Sequence, residues 1–316
     1  MMELKRVVLT GATGVLGTAL IDKLIEKGAE IFIVCHPQSK RNRFIRNHKN
    51  IHKVFCDLQE IKNLPTLISV PCDAFFHFAW LGTENPNNRM NMSLQEENIR
   101  YALQAVSAAR EIGCKVFVGA GSQAEYGRVS GIIHPDTPTF PVSGYGMAKL
   151  CTGQMTREMC KQYGIRHIWP RILSIYGPHD GGHTLISTVI DSLLKGKKPA
   201  LTAGEQIWDY LYAGDAAEAL IRMALLGHDG SVYVLGSGKT RKLREFMEII
   251  RDTIDSKLPL GIGEIPYYPD QAMHLEADIT SLYKDTKWLP TTEFTEGIRM
   301  LIEERKNAAK KCNTVH

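Results

Sequence analysis

The sequence lacks the features that would indicate a membrane protein, a nucleic-acid-binding protein or an extracellular protein. Its apolar stretches fall well short of the roughly 18 residues that a membrane-spanning helix needs. The formal net charge is only +4 over 316 residues, and the cations are dispersed, which argues against a nucleic-acid partner. None of the seven cysteines forms a Cys-x-x-Cys pair. We therefore expect reduced thiols in a cytoplasmic protein, with no signal peptide and no metal ligands.

The residues that are present indicate an ordinary globular chain, with 44% hydrophobic and 23% charged residues. From residue 4 to about 170, short apolar runs alternate with helical patterns. Strands are predicted at 7–9, 31–34, 53–55, 74–78, 116–118 and 166–169, and long helices at 91–112 and 143–163. This alternation predicts an α/β fold with a Rossmann-type, doubly wound parallel sheet covered by helices on both faces.

Three glycines follow the first predicted strand. Gly11, Gly14 and Gly17 lie between an apolar run and a helical pattern, which is the setting where such a triplet indicates a dinucleotide site. Gly11 allows a tight turn, Gly14 admits a pyrophosphate, and Gly17 lets helix and strand approach closely. The alternative is an ordinary glycine-rich turn. We expect the cofactor phosphates at the N-terminus of the helix, contacted by Gly11, Thr13, Gly14, Val15, Leu16 and Gly17.

After about residue 176 the pattern changes to helix-like segments joined by short strands and loops. The segments are 185–195, 216–226, 243–255 and 295–305. We assign residues 1–175 to a dinucleotide-binding domain and 176–316 to a smaller, mostly helical substrate-binding region. The two are interleaved, because a strand near 231–235 is expected to return to the sheet. Residues 181–184 could supply a helix N-terminus for phosphates.

The loop after the second predicted strand has no acidic residue between Glu30 and Asp57. Sheets selective for NAD usually place a carboxylate there, on the ribose 2′-hydroxyl. Cations in this loop could instead pair with a 2′-phosphate, although a solvated basic loop is the alternative. We therefore favour NADP over NAD. The further cofactor contacts that we expect are His36, Ser39, Lys40, Arg41, Asp57, Leu58 and Ala79, where Asp57 could equally be a helix N-cap.

Tyr145 and Lys149 are four residues apart in a predicted helix, so they lie one turn apart on the same face. A phenol has an unperturbed pKa near 10, and a nearby ammonium lowers it. We expect Lys149, helped by an oxidised nicotinamide, to lower the pKa of Tyr145 in this way. Ser122 follows the fifth strand and could hydrogen-bond the same substrate oxygen. A chance spacing of Tyr and Lys is the alternative.

Together these motifs resemble the extended short-chain dehydrogenase/reductase family of nucleotide-sugar epimerases, dehydratases and reductases. The resemblance covers almost the whole chain. It is carried by Thr10 to Gly17, Asp57-Leu58, Ser122 before Tyr126-Gly127, Tyr145 and Lys149, Arg171 to Pro178, Trp208-Asp209-Tyr210, and a tail with Asp278, Trp288, Pro290 and Gly297. It implies that Ser122, Tyr145 and Lys149 are catalytic. It also implies a homodimer, formed through helices at 92–110 and 148–163.

The chain departs from the family pattern at positions that contact the substrate in family members. The 4,6-dehydratases carry an Asp-Glu pair where this chain has Gln123 and Ala124, so a dehydratase is not expected. Epimerases usually have an Arg where this chain has Trp208, and often an Asn where it has Ser174. The diphosphate would then be held by Arg171 or Arg241. The expected substrate contacts are Ser122, Gln123, Arg171, Ser174 and Trp208.

The resulting prediction is an NADP-dependent reductase of a 4-keto-6-deoxy sugar carried on a nucleoside diphosphate. Tyr145 would donate the proton, Ser122 would hydrogen-bond the reacting oxygen, and Lys149 would hold the cofactor ribose. One alternative is a nucleotide-sugar epimerase that retains NAD. Another is a cofactor-binding regulator without turnover, although a pure sensor has no need of all three residues.

Overall fold

A computed structural model describes residues 3–180, 182, 184–269 and 271–313. The strands within these residues are β1 Arg6–Thr10, β2 Glu30–Cys35, β3 Ile51–Phe55, β4 Ala74–His77, β5 Val116–Gly119, β6 Gly121–Ser122, β7 Ile132–Ile133, β8 Arg166–Ile172, β9 Ser174–Tyr176, β10 Ala200–Leu201, β11 Ile207–Tyr212, β12 Ser231–Leu235, β13 Thr240–Lys242, β14 Gly261–Ile262 and β15 Glu276–Ala277. The α-helices are α1 Val15–Glu26, α2 Leu64–Leu67, α3 Met92–Ile112, α4 Gly144–Tyr163, α5 Leu185–Leu194, α6 Ala213–Leu226, α7 Leu243–Ile254, α8 Thr280–Thr286 and α9 Phe294–Asn313.

The main sheet confirms the predicted α/β fold. Its strands lie in the order β12-β8-β5-β4-β1-β2-β3, and all neighbours are parallel. The six predicted strands are all present. The expected return of the strand near 231–235 is also observed, because β12 pairs with β8 at the edge of the sheet. Whether the chain divides into two domains at residue 175 stays a prediction.

Helices cover both faces of the sheet, because its strands are apolar on both sides. On one face, α1 and α6 pack on alternate residues of β1 and β2 through side chains such as Leu20, Leu24 and Leu220. On the other, α3 packs on the opposite residues of the same strands through Ala105, Val106 and Ile112. None of the described helices is long and apolar enough to span a bilayer.

The two long helices begin and end at residues suited to those positions. The side chains of Asn91 and Ser143 cap the N-termini of α3 and α4 by accepting backbone N–H bonds. Gly113 and Gly164 end these helices in the left-handed conformation, which glycine adopts without a steric penalty. Both helices therefore start near the carboxyl edge of the sheet, where parallel sheets bind their ligands.

The C-terminal part of the chain forms a second apolar cluster beside that edge. α5, α7 and α9 surround residues such as Val189, Phe246 and Ile298. A small sheet of β9, β11 and β13 connects this cluster to the main sheet, with β11 parallel to β9 and antiparallel to β13. The strand order reverses between β1 and β4, so the crevice at their carboxyl ends lies between two crossovers of opposite direction.

A buried ion pair joins the turn after β6 to β8. One oxygen of the Glu125 carboxylate accepts a bond from Arg171 Nε at 2.7 Å, and the other accepts one from the backbone N–H of Ser122 at 2.8 Å. The indole N–H of Trp169 also donates to this carboxylate. Both charged side chains are almost completely buried, with 1% of Glu125 and 9% of Arg171 exposed. The pair therefore fixes Ser122 against β8.

Two histidines lie inside the sheet in their neutral form. Burial lowers the pKa of His77 to about 3, with Lys149 contributing, and burial lowers that of His167 to about 4, with Arg157 contributing. His77 Nδ1 is 3.0 Å from Thr10 Oγ1, and His167 Nε2 is 2.9 Å from Thr156 Oγ1. The rings of His77, Phe117, His167 and Trp169 form a row across β4, β5 and β8, in which the first pair is tilted and the other two pairs are stacked.

Removing only one partner of the buried Glu125–Arg171 ion pair should destabilise the protein more than removing both. We expect Glu125→Met to lower the free energy of unfolding by about 3–5 kcal/mol, because it leaves the Arg171 charge buried and uncompensated. The double variant Glu125→Met/Arg171→Met should be more stable than this single variant. Urea unfolding measures both. The exposed Arg244–Glu248 pair is the control, where Glu248→Ala should cost less than about 1 kcal/mol. A double variant less stable than the single one would contradict this account.

The buried histidines should make stability fall in mild acid. Each has a folded-state pKa below the ordinary 6.5, so only the unfolded chain takes up its proton as the pH falls below 6.5. Through His167, the free energy of unfolding should therefore fall by about 1.4 kcal/mol for each pH unit between pH 6.5 and pH 4. His167→Phe keeps the ring stack. When the free energy of unfolding is measured with urea between pH 7 and 5, this variant should lack the part of the pH dependence that His167 causes. His52→Gln, at an exposed position, should leave the slope unchanged; an equal loss in both variants would refute this explanation.

Candidate active site

A cavity of about 570 Å³ lies at the carboxyl ends of β1, β2, β3 and β4. Many of the residues that the sequence predicts as cofactor contacts line it: Gly11, Thr13, Gly14, His36, Ser39, Arg41, Asp57, Leu58 and Ala79. These residues come from four separate turns that the parallel sheet brings to one edge. The cavity therefore lies where the strand order predicts a ligand.

The glycine-rich turn has the shape that a pyrophosphate needs. Gly11 has a φ of +73°, and a Cβ there would lie 2.7 Å from the backbone nitrogen of Ala79. A Cβ on Gly17 would lie 2.2 Å from the Gly11 carbonyl oxygen. In contrast, a Cβ on Gly14, which lines the cavity, would make only an ordinary van der Waals contact, 3.6 Å from the Gly11 carbonyl oxygen. Because no side chain caps α1 at Gly14, the first N–H groups of the helix are directed at this cavity, and a dinucleotide fits the residues present.

Six predicted cofactor contacts do not line this cavity, and two of them, Tyr145 and Lys149, lie at the start of α4. Leu16 and Gly17 are buried where α1 packs on the sheet. Val15 borders a different cavity on the far side of α1. Lys40 is exposed at the start of a 3-10 turn and does not line the cavity. Val15, Leu16 and Gly17 could contribute to binding only through their backbone N–H groups and the dipole of α1.

Asp57 serves the capping role and also faces the cavity. Its Oδ1 accepts the backbone N–H of Gln59 at 3.0 Å, as an N-cap does. Its Oδ2 lies 3.0 Å from His36 Nε2. The two readings of Asp57 in the sequence are therefore compatible, since a carboxylate has acceptor sites for both a backbone group and a ligand.

The structure adds cavity residues that sequence reasoning missed. Thr10 Oγ1 accepts the N–H groups of Phe78 and Ala79, each at 3.1 Å, and so ties the end of β1 to the end of β4. Thr10 could have been found from its place directly before Gly11. The other additions are Ala12, Val34, Gln38, Asn42, Ile45, Cys56, Phe78, Trp80, Leu81, Thr83 and Glu84. Thr83 and Glu84 lie in an irregular loop without periodicity, so no pattern marked them.

Ser122, Tyr145 and Lys149 come together at the start of α4. A Cβ on Gly146 would lie 2.3 Å from the carbonyl oxygen of Ala124, so only glycine lets the helix approach the turn after Ser122 this closely. The Ser122 hydroxyl acts on Tyr145 by lowering the pKa of its phenol. Lys149 Nζ donates to the Ala120 carbonyl at 2.8 Å and lies 5.7 Å from the centre of the Tyr145 ring.

Burial dominates the electrostatics of this group. It lowers the pKa of Lys149 to about 7, although the Glu125 carboxylate opposes the shift. Lys149 Nζ also lies 3.6 Å from the centre of the Trp80 ring, a contact that sequence reasoning missed. An amine with this pKa exists in charged and neutral forms near neutral pH.

The expectation that Lys149 lowers the pKa of Tyr145 is wrong for this structure. Burial raises the pKa of Tyr145, and the opposing effects come from the Ser122 hydroxyl and the charge of Arg89. Arg89 lies over the Tyr145 ring, with its guanidinium carbon 5.0 Å from the ring centre. The phenol is therefore held in its neutral form, which is the form that can donate a proton.

The predicted substrate contacts separate into two groups. Trp208 Nε1 donates to Ser174 Oγ at 2.9 Å, and both residues line a second cavity of about 310 Å³ with Tyr210 and Thr184. Gln123 begins the turn directly after Ser122. Arg171, however, is buried against Glu125 and does not line this second cavity. Of the two arginines considered for a diphosphate, only Arg241 lies at the surface, opposite Trp208 on β13.

Part of the suggested phosphate site at 181–184 lies outside the described residues, since Gly181 and His183 are not among them. Thr184 is described, and its hydroxyl caps α5 by accepting the N–H of Ser187. It also donates to Asp180 at 2.7 Å. The N-terminus of α5 thus borders the second cavity, as the sequence suggested.

Relatives with known names share this architecture. A putative UDP-glucose 4-epimerase of Methanocaldococcus jannaschii is 26% identical over 95% of this chain and 98% of its own. A dTDP-glucose 4,6-dehydratase of Salmonella typhimurium is 24% identical over 94% of this chain and 92% of its own. Among solved structures, a UDP-N-acetylglucosamine 4-epimerase from Methanobrevibacter ruminantium, in complex with UDP-N-acetylmuramic acid, superposes with a TM-score of 0.87 at 23% identity, covering 97% of this chain and 100% of that one.

A dTDP-glucose 4,6-dehydratase from Bacillus anthracis in complex with NAD is similar in fold, with a TM-score of 0.82 at 18% identity over 96% of this chain and 97% of that one. The family is decided by a match to a family model and not by any single relative. The model of the NAD dependent epimerase/dehydratase family matches residues 7–236, which include both cavities and the group at the start of α4. This chain therefore belongs to the NAD-dependent epimerase/dehydratase family, whose enzymes are extended short-chain dehydrogenases/reductases.

Proposed function

We propose that the protein is an NADP-dependent reductase of a 4-keto-6-deoxy sugar linked to a nucleoside diphosphate. The observation that carries this proposal is the grouping of Ser122, Tyr145 and Lys149 without an acidic residue at the two positions after Ser122. The nearby Glu125 carboxylate is buried and paired with Arg171. Gln123 and Ala124 follow Ser122 directly, and neither can exchange a proton during an elimination. The site can thus support one hydride step and one proton step, which is the requirement for reducing a carbonyl.

The residues of the site would divide this chemistry between them. The bound nicotinamide supplies the hydride that reaches the keto carbon. Tyr145 Oη donates its proton to the carbonyl oxygen as negative charge develops there. Ser122 Oγ hydrogen-bonds the same oxygen and so stabilises that charge. Lys149 holds the ribose of the bound nucleotide.

The preference for NADP rests on the loop after β2. Ser39 and Arg41 line the cavity, and this loop has no carboxylate to accept the ribose 2′-hydroxyl. A guanidinium binds phosphate through charge-assisted, often bidentate hydrogen bonds. The nucleotide of the substrate would occupy the second cavity, where Trp208 offers an aromatic face and α5 offers its N-terminus.

Epimerisation with retained NAD is the second candidate. The 26% identical relative is named as a putative UDP-glucose 4-epimerase, and the same three residues would serve an epimerase. That reaction would return the hydride to the opposite face of the sugar. It would also require the cofactor to stay bound between two half-reactions, whereas a reductase releases the oxidised cofactor.

We further propose a cytoplasmic homodimer. α3 and α4 pack side by side and leave a shallow groove between them, lined by Ile99, Leu103, Met155 and Met159. The side chains of Met92, Met147 and Met155 are about half exposed on these helices. A second copy of the face would bury this apolar surface. The free thiols of the described cysteines support a reducing compartment.

Replacing the proposed proton donor should remove turnover but not cofactor binding. In Tyr145→Phe the ring still packs against Trp80, while the hydroxyl is lost, so we expect the rate to fall about 10²–10⁴-fold. The affinity for reduced cofactor, measured by nicotinamide fluorescence, should change less than about threefold. Tyr163→Phe, at the other end of α4, is the matched control and should keep full activity. A near-normal rate in Tyr145→Phe would show that the phenol is structural.

The reaction class can be decided by following absorbance at 340 nm with a panel of nucleotide-linked 4-keto-6-deoxy sugars. Reduction should consume one NADPH for each sugar, and NMR should show a new alcohol at C4. UDP-glucose and UDP-galactose should not interconvert, and dTDP-glucose should not lose water. Interconversion without net loss of NADPH would refute the reductase and establish the second candidate. Absence of reaction across the panel would refute this substrate class.

A further inference from the structure

Arg41 occupies a central position in the proposed cofactor cavity. Its Nη2 donates to the Thr13 carbonyl in the glycine-rich turn at 2.7 Å, and its Nη1 lies 3.3 Å from Glu84 Oε1. Its Nε is buried and has no hydrogen-bond partner. Among the described residues that line the cavity, Arg41 is the only lysine or arginine. Selectivity for a 2′-phosphate would therefore depend mainly on this guanidinium.

Glu84 offsets the charge of that guanidinium. It belongs to the loop after β4, more than forty positions along the chain from Arg41, yet both residues line the same cavity. Its side chain is 77% exposed, so the ion pair itself is weak and easily exchanged. The loop after β2 has no carboxylate, but the loop after β4 places one beside Arg41.

We propose that Glu84 is a specificity-determining residue that weakens the binding of NADPH relative to NADH. This inference rests on the proposed cofactor site. A 2′-phosphate carries close to two negative charges at neutral pH, and binding to Arg41 would bring it next to the Glu84 carboxylate. NADH has a neutral hydroxyl at that position and meets no such repulsion. Glu84 thus moderates the preference that Arg41 creates.

The size of the effect follows from the geometry. Unit charges about 4 Å apart in water-like surroundings change a binding constant roughly five-fold, and the second phosphate charge increases this. We therefore expect Glu84→Gln to tighten NADPH binding about five- to twenty-fold. NADH binding should change less than about twofold, because glutamine is the same size and keeps an acceptor oxygen. The difference should shrink at high ionic strength, since the groups are solvent-exposed.

The experiment is an equilibrium titration of the purified full-length protein with NADPH and with NADH, followed by nicotinamide fluorescence. Titration with adenosine 2′,5′-bisphosphate and with AMP repeats the comparison without the nicotinamide. Glu158→Gln removes an equally charged, exposed side chain on α4 and should leave both ratios unchanged. Arg41→Gln should lower the affinity for NADPH and for the bisphosphate, and Glu84→Gln should have a smaller effect in that background.

An unchanged NADPH-to-NADH ratio in Glu84→Gln would overturn the inference. Weaker NADPH binding in that variant would also overturn it, because Glu84 would then be a support that holds Arg41 in place. Either result leaves the proposed reductase standing, since wild-type protein would still bind NADPH. If wild-type protein binds neither reduced cofactor, both this inference and the proposed function are refuted.

Discussion

The site depends on how closely two strand ends approach each other. Thr10 at the end of β1 accepts two backbone N–H groups from the end of β4, and Gly11 follows without a side chain that would collide with Ala79. This contact lies where the strand order reverses, so the crossovers leave the sheet in opposite directions and open a crevice. A side chain at Gly11 would separate β1 from β4, and the turn could no longer present the first N–H groups of α1 to a ligand.

Removal from water controls the charges around this crevice. The same burial that keeps His77 neutral also places Lys149 between its charged and neutral forms at pH 7 and keeps the proton on Tyr145. In such surroundings each added charge has a larger effect than it has in water. A bound ligand that carries negative charge near Lys149 would favour its ammonium form. Binding of such a ligand would thus change the protonation state of one buried amine.

Much of the fold could be predicted from the sequence. Short apolar strands that alternate with helices can bury both of their faces in only a few arrangements. The glycine triplet and the Tyr145–Lys149 spacing are local patterns and also followed from the sequence. Arg171 shows where such reasoning fails. Trp208 stands where epimerases usually have an Arg, which suggested Arg171 as a diphosphate contact. The buried Glu125 carboxylate, distant in sequence, binds Arg171 instead. Glu84 and Trp80 were missed for the same reason, since their roles depend on contacts between loops rather than on any period in the sequence.

The two cavities differ in how they can attract phosphates. The first combines glycine N–H groups, the N-terminus of α1 and one arginine whose charge is offset by Glu84. Among the described residues of the second, the only side chain with a full charge is the carboxylate of Asp180. A nucleoside diphosphate in the second cavity would therefore be held by the N-terminus of α5, by hydroxyl groups and by the aromatic faces of Trp208 and Tyr210. Stacking tolerates many bases, so discrimination among substrates would come from the sugar near Tyr145 rather than from the nucleotide.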